Sequence, residues 1–259
     1  MAPMILAAPA SGALVGFSLG LVGGGGSILA TPLLLYVVGI AQPHIAIGTG
    51  ALAVSVNAFA NLIGHARAGN VRWRYSIVFA VVGILGALAG STLGKLVNGD
   101  RLLFLFGLVM LAVGAMMLRP RRENAAPERA ADLKTCLLTA AVAFTAGMAS
   151  GFFGIGGGFL IVPGLMLATG MPMIKAVGSS LLAVGSFGLA TALNYALSGF
   201  IDWSVAGEFI AGGIVGGVLG TTLANGLSSN KNTLNRIFAM LIFVVAAYVL
   251  YRSGRTLMG

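Results

Sequence analysis

The stretch GFSLGLVGGGGSILATPLL (Gly16 to Leu34) decides how this chain is read, because it sets four consecutive glycines inside an otherwise apolar run. A second stretch, GFFGIGGGFLIVPGL (Gly151 to Leu165), repeats the arrangement 131 positions later. In a helix interior four glycines cost about 3–4 kcal/mol relative to alanine, so Gly23 to Gly26 mark a break. Pro32 and Pro163 follow, and proline suits the first turn of a new helix, with Thr31 as its expected cap. The predicted local picture is half-helix, glycine loop, half-helix, near the middle of a membrane.

The surroundings are apolar from end to end. Of 259 residues 58% are hydrophobic and 8% charged, with a mean hydropathy of +1.00, against about 25% charged in an ordinary soluble domain. Apolar segments lie at 5–39, 46–63, 75–97, 102–118, 133–169, 176–197, 205–227 and 234–251. Most approach the roughly 20 residues that cross a bilayer as helix, and the first and fifth far exceed it. The fold class predicted is an all-α polytopic membrane protein of about eight transmembrane segments. The N-terminus lacks a Lys or Arg ahead of its apolar run, so a retained first span is expected rather than a signal peptide.

Sliding the chain along itself exposes a repeat. A shift of 131 sets Gly20 on Gly151, Gly23 on Gly154, Gly25 and Gly26 on Gly156 and Gly157, and Pro32 on Pro163. After one lost residue, a shift of 130 sets AIGTGAL (46–52) on AVGSSLL (176–182), GNVRW (69–73) on GFIDW (199–203), and GILGALAGSTL (83–93) on GIVGGVLGTTL (213–223). Two homologous four-segment repeats are therefore expected, at 1–118 and 135–259, each with its first segment broken at the glycine cluster. The spaced glycines of 83–90 and 213–220 are assigned to close helix packing.

The halves are joined by 119–134, which carries Arg119, Arg121, Arg122, Arg129 and Lys134. Short basic loops stay on the cytoplasmic side, so this linker is expected there. The net charge of +9 comes from Lys and Arg clustered in the connecting loops, most densely in this linker, and no nucleic-acid partner is expected. The orientation of the halves stays open. If every segment spans once, they are parallel; if each glycine-broken segment enters and leaves on one face, they are inverted.

Unwound backbone at membrane depth must be buried in protein or line a water-filled cavity. Glycine N–H groups and positive half-helix ends suit an anion. All six carboxylates, Asp100, Glu123, Glu128, Asp132, Asp202 and Glu208, avoid the middles of apolar segments, which also favours an anionic substrate. With two histidines and the single Cys136, the chain offers poor material for a catalytic or metal site, so no enzyme activity, metal or cofactor is expected. Polar residues inside spans are the remaining pointers: Thr49, Asn57 and Asn61 in the second segment, and Ser179, Ser180 and Asn194 in the sixth. Asn57 and Asn61 share a helix face and could bind one oxyanion or simply tie helices together. His65 begins a basic loop and is expected at the interface.

The paired glycine-then-proline motifs GLVGGGGSILATPLL and GFFGIGGGFLIVPGL, the trailing AVGSSL and the length together resemble the sulfite exporter TauE/SafE family of membrane transporters. That resemblance implies a secondary carrier in the cell inner membrane for a small sulfur-containing anion such as sulfite, thiosulfate, sulfoacetate or another organosulfonate, with proton coupling as an option. It implies that Gly23, Gly24, Gly25, Gly26 and Ser27, with Gly154, Gly156, Gly157 and Gly158, line the substrate path, and that Thr49, Ser179 and Ser180 lie beside it. The expected partners are the anion, the lipid bilayer and, as an assembly the reading allows, a second copy of the chain. A passive anion channel is the alternative.

Overall fold

The computed structural model describes residues 2–118, 133–154, 158–226 and 231–258. Among them there are helices and connections but no strand, as expected where backbone groups must bond within their own segment. The helices are α1 (Ala2–Val22), α2 (Ala30–Leu33), α3 (Pro43–Arg67), α4 (Trp73–Leu96), α5 (Gly99–Leu118), α6 (Leu133–Phe153), α7 (Gly158–Thr169), α8 (Met173–Ala196), α9 (Trp203–Gly226) and α10 (Lys231–Met258). Between α1 and α2 the glycine stretch Gly23–Leu29 is a 3-10 turn, and α2 runs on into a π-helical end, Leu34–Val38. Among the described residues five stretches are long and apolar enough to cross a membrane, and 137–153 is a shorter apolar helix. The chain is a multi-pass membrane protein.

Contacts between glycines and their neighbours reveal the direction of each helix. Gly12 faces Phe209, Gly16 faces Gly213 and Gly20 faces Thr221, so α1 and α9 run parallel. Gly83 meets Gly147, Ala87 meets Gly151 and Gly94 meets Phe152, so α4 and α6 are parallel too. By contrast α3 and α8 are antiparallel: Gly48 packs on Tyr195, Ser55 Oγ donates to the Gly185 carbonyl at 2.7 Å, and Gly178 packs on Asn70. Helices α5 and α10 also oppose one another, through Gly107 with Leu250 and Gly114 with Phe243. Every one of these seams is built on glycine, because without a hydrophobic driving force between helices in lipid, association depends on close backbone approach.

The directions settle what the first glycine cluster does. Asn61 reaches the Gly16 carbonyl and His65 the Gly20 carbonyl, so α1 and α3 run the same way. The chain must therefore travel back between Val22 and Pro43. Gly26 lies against Ser18 and Leu19, and Gly50 lies against Leu34 and Thr31, which traces the returning strand of chain down the bundle beside α1. The cluster is the tip of a hairpin rather than a kink in one long span. In the second half α6 ends at Phe153, Gly154 turns with φ 67°, and α7 leads back toward α8. Ile155, Gly156 and Gly157, and most of the 119–134 linker, lie outside the described residues.

Two local expectations change. Thr31 does not cap a new helix: the returning helix has no side-chain cap at Leu29, and the Thr31 hydroxyl is buried without a hydrogen-bond partner among the described residues. Pro163 stands inside α7 rather than in its first turn, five residues after Gly158.

Candidate functional site

The first glycine turn is enclosed. Residues Gly23 to Leu29 are all buried, and Gly23 adopts a left-handed conformation, φ 69°, that an L side chain rarely takes. The Gly24 N–H donates to Ser180 Oγ at 3.3 Å, Ser180 in turn donates to the Val177 carbonyl at 2.7 Å, and Ser27 Oγ donates to the Gly24 carbonyl at 2.7 Å. This brings together Gly23, Gly24, Gly25, Gly26, Ser27 and Ser180. It does so across the halves, because Ser180 belongs to α8.

The second break makes the corresponding contact. Gly154 presses on Ile47 of α3 as Gly23 presses on Val177 of α8, and Val177 is the residue that a shift of 130 sets on Ile47. Yet the two breaks do not meet. Gly20, just before the first, is level with His65, whereas Gly154 is level with Ile47. These positions on α3 are about 27 Å apart along the helix axis. The glycine tips lie near opposite ends of the bundle, and residues 23–29 of the first return pack against α7. The expectation of a single midplane site formed by both clusters is corrected accordingly. Gly158 opens α7 at the far tip.

Four other candidates are occupied elsewhere. Thr49 Oγ1 accepts the Asp202 N–H at 2.9 Å, and Ser179 Oγ accepts the Arg72 N–H at 2.8 Å. Both bonds fix the residue just before a helix, α9 in one case and α4 in the other, so Thr49 and Ser179 latch opposite ends of the bundle. Asn61 bonds Thr221 at 2.9 Å and the Asn57 carbonyl at 2.9 Å, tying α3 to α9 rather than reaching the glycine turn. Asn194 is held by Lys95 Nζ at 2.7 Å, Ser91 at 2.6 Å and Thr92 at 3.0 Å. Lys95 Nζ also caps the Asn194 carbonyl at 3.1 Å, a favourable place for a cation near a helix C-terminus.

His65 is more than an interfacial residue. It is fully buried, and its Nε2 lies 2.9 Å from the Gly20 carbonyl. A carbonyl only accepts, so Nε2 carries the proton. Its spacing of four from Asn61 and eight from Asn57 is the signal that sequence reasoning missed: all three share one face of α3. At the outer end of the latch, Asp202 caps α9, its Oδ1 accepting from the N–H of Ser204 and Val205 at 3.1 Å each and from Ser204 Oγ at 2.7 Å. These bonds lower its pKa, the Ser204 side chain contributing most.

Helix dipoles define the electrostatics. The run 23–38 starts at Gly23 and α7 starts at Gly158, so each tip presents the positive end of a helix, one at each end of the bundle. Among the described residues no group of His, Cys, Asp or Glu could hold a metal ion.

A family model described as Sulfite exporter TauE/SafE matches residues 8–249. A probable membrane transporter protein of Xylella fastidiosa is 61% identical over 248 residues, 95% of each chain. The probable membrane transporter protein YunE of Bacillus subtilis is 23% identical, covering 90% of this chain and 92% of its own. One from Haemophilus influenzae is 27% identical over 91% of this chain and 94% of its own. No solved structure matches.

Proposed function

The chain belongs to the sulfite exporter TauE/SafE family, and we propose that it is a secondary transporter of the cell inner membrane that moves a small sulfur-containing anion: sulfite, thiosulfate, sulfoacetate or another organosulfonate. The observation that carries this reading is the pair of glycine reversals. Each starts a helix whose positive end faces one end of the bundle, and no carboxylate lies in the middle of a span to favour a cation. The substrate contacts proposed are the N–H groups of Gly23 to Gly26 with Ser27 and Ser180 at one mouth, and Gly154 with Gly156 to Gly158 at the other.

The halves 1–118 and 135–259 are proposed to be inverted repeats. A glycine hairpin adds one return pass to each half, so each crosses an odd number of times and the second begins where the first ended. The opposed directions of α3 and α8 support this. Inverted repeats of this kind rock around a central path to expose it alternately to each side. On this topology eleven of the fifteen Lys and Arg fall on the face of the linker (67, 72, 74, 119, 121, 122, 129, 134, 175, 231 and 236) and four on the other (95, 101, 252 and 255). The linker is then cytoplasmic and both termini are outside.

Proteoliposome uptake of labelled sulfite, thiosulfate, sulfoacetate and inorganic sulfate tests the function. Saturable, mutually competing uptake of one or more sulfur anions is expected. Voltage-driven current that does not saturate would instead make the protein an anion channel, and absence of flux for all four would end the proposal.

A further inference from the structure

Three side chains of α3, Asn57, Asn61 and His65, stand one turn apart on the face turned toward α1 and α9, and each is buried. Asn61 has partners in Asn57 and Thr221. Asn57 does not: neither its amide nitrogen nor its amide oxygen has a hydrogen-bond partner among the described residues, and the same holds for His65 Nδ1. Burying polar groups this way is expensive, and the cost calls for a use.

Packing alone does not supply that use. The residues that a shift of 130 sets on these three are Phe187, Thr191 and Tyr195. Where Asn57 meets Gly213 in the α3 to α9 seam, Phe187 meets Gly83 in the α8 to α4 seam. The same niche is filled with a hydrocarbon ring in one half and with an unpaired amide in the other.

We propose that Asn57, Asn61 and His65 form a proton-conducting track, with His65 as the group that takes up the coupling proton. This rests on the transporter reading and names its coupling ion. The proton adds to His65 Nδ1, while Nε2–H keeps its bond to the Gly20 carbonyl. The imidazolium then stands at the end of α1, three residues before Gly23, and adds a positive charge beside the turn that receives the anion. Transfer of the same proton from Nδ1 to water that the Asn61 and Asn57 amides hydrogen-bond, without taking up the proton themselves, removes that charge and releases the anion.

The second histidine stands away from His65: His44 lies in the first turn of α3 at the opposite end of that helix, stacked on Tyr195 of α8. Helix α1 and the run 23–38 carry only Tyr36, at the far end of the return; α9 has only Glu208, exposed in its second turn at the opposite end; α5 has Asp100 and Arg101 at that opposite end. Near the His65 end lie Arg67 on α3 itself, Arg72 in the following connection, Arg74 and Tyr75 on α4, and Lys175 on α8. None of these changes charge near neutral pH, whereas histidine does.

The test uses the full chain in proteoliposomes, with thiosulfate as the probe because its charge is constant over the range in which histidine titrates. Thiosulfate entry and proton movement are recorded together, the latter with an internal pH dye. For the unmodified protein, uptake rises with an imposed pH gradient and protons move with thiosulfate. His65→Gln, which lacks the charge beside the glycine turn, keeps only a weakened thiosulfate exchange of raised KM, loses at least about tenfold in proton movement per anion carried, and its uptake becomes flat between about pH 5.5 and 8.5. Asn57→Leu, which interrupts the track and spares the histidine, gives the same loss. Unmodified protein that moves thiosulfate without protons overturns the proposal. So does either variant that keeps normal proton movement, and so does loss of exchange in both variants while they remain monodisperse. Failure of the transport reading is distinct: unmodified protein would then move no sulfur anion at all.

Discussion

Alanine substitutions along the first hairpin separate two costs that its geometry predicts. Gly39 has φ 89° and nothing within 4 Å of the place a Cβ would take, so Gly39→Ala reports backbone strain alone, about 1 kcal/mol. Gly23 has φ 69°, and a Cβ there would in addition stand 2.9 Å from Ser180 Oγ and 3.1 Å from Val177. Overpacking of this kind adds about 1–3 kcal/mol, making roughly 2–4 kcal/mol in all. Gly26 has no unusual φ, but its Cβ would collide with α1 backbone, 2.5 Å from both Leu19 N and the Ser18 carbonyl carbon, which cannot swing aside. Gly25 meets only Val22 at 3.3 Å, and its alanine variant is expected to be nearly neutral. At about 2–4 °C per kcal/mol for a chain of this size, Gly39→Ala lowers Tm by about 2–4 °C and Gly23→Ala by about 4–16 °C. The assay is thermal unfolding in detergent, paired with thiosulfate uptake, which Gly23→Ala and Gly26→Ala abolish and the other two retain. Equal Tm losses for Gly23→Ala and Gly39→Ala, or an unaffected Gly26→Ala, would refute the hairpin geometry.

The latches give a matched pair: Thr49→Val and Ser179→Ala each remove an acceptor from a helix-start N–H and are expected to cost similar amounts, about 1–3 kcal/mol, by thermal unfolding. Asp202→Ala removes the cap of α9 and costs about 1 kcal/mol at neutral pH. Because the folded pKa of Asp202 lies below its ordinary value, its contribution is present above the ordinary aspartate range and fades as pH falls through the lowered value. Unfolding curves of the parent and the variant should therefore converge in acid and separate at neutral pH. Reporter fusions at either terminus are expected outside the cell and a reporter inserted in the 119–134 linker inside it; termini and linker on one side would refute inverted halves.

Composition and spacing are enough to show the membrane class and the position of the first break, because glycine clusters and apolar length are local properties of the chain. What spacing does not show is where a break sits in the bundle. Each cluster lies within a run more than 30 residues long, and such a run can be one long kinked span or a hairpin; only the seams choose, since Gly16 against Gly213 and Gly83 against Gly147 make α1 and α6 full partners of α9 and α4. Once α1 spends its whole length in that seam, the glycines are carried to its end, and the two tips move apart to opposite ends. The same packing explains why Thr49 and Ser179 look like site residues in the sequence and act as latches in the fold. A hydroxyl in an apolar span can serve a substrate or a backbone N–H, and the N–H groups that these two accept from belong to Asp202 and Arg72, which are distant in sequence and adjacent only in the folded bundle. Asn57, like Thr31, Thr191 and Tyr195, is buried with a side-chain polar atom that this logic does not absorb, and it alone of these leaves a whole amide unpaired. Its equivalent Phe187 fills the same glycine niche with no unpaired polar atom, so a chain selected only to pack would gain stability by placing an apolar residue at position 57. An unpaired amide beside a buried histidine, at 57 and 65 but not at the positions 187 and 195 that a shift of 130 sets on them, is what the proposed coupling path requires.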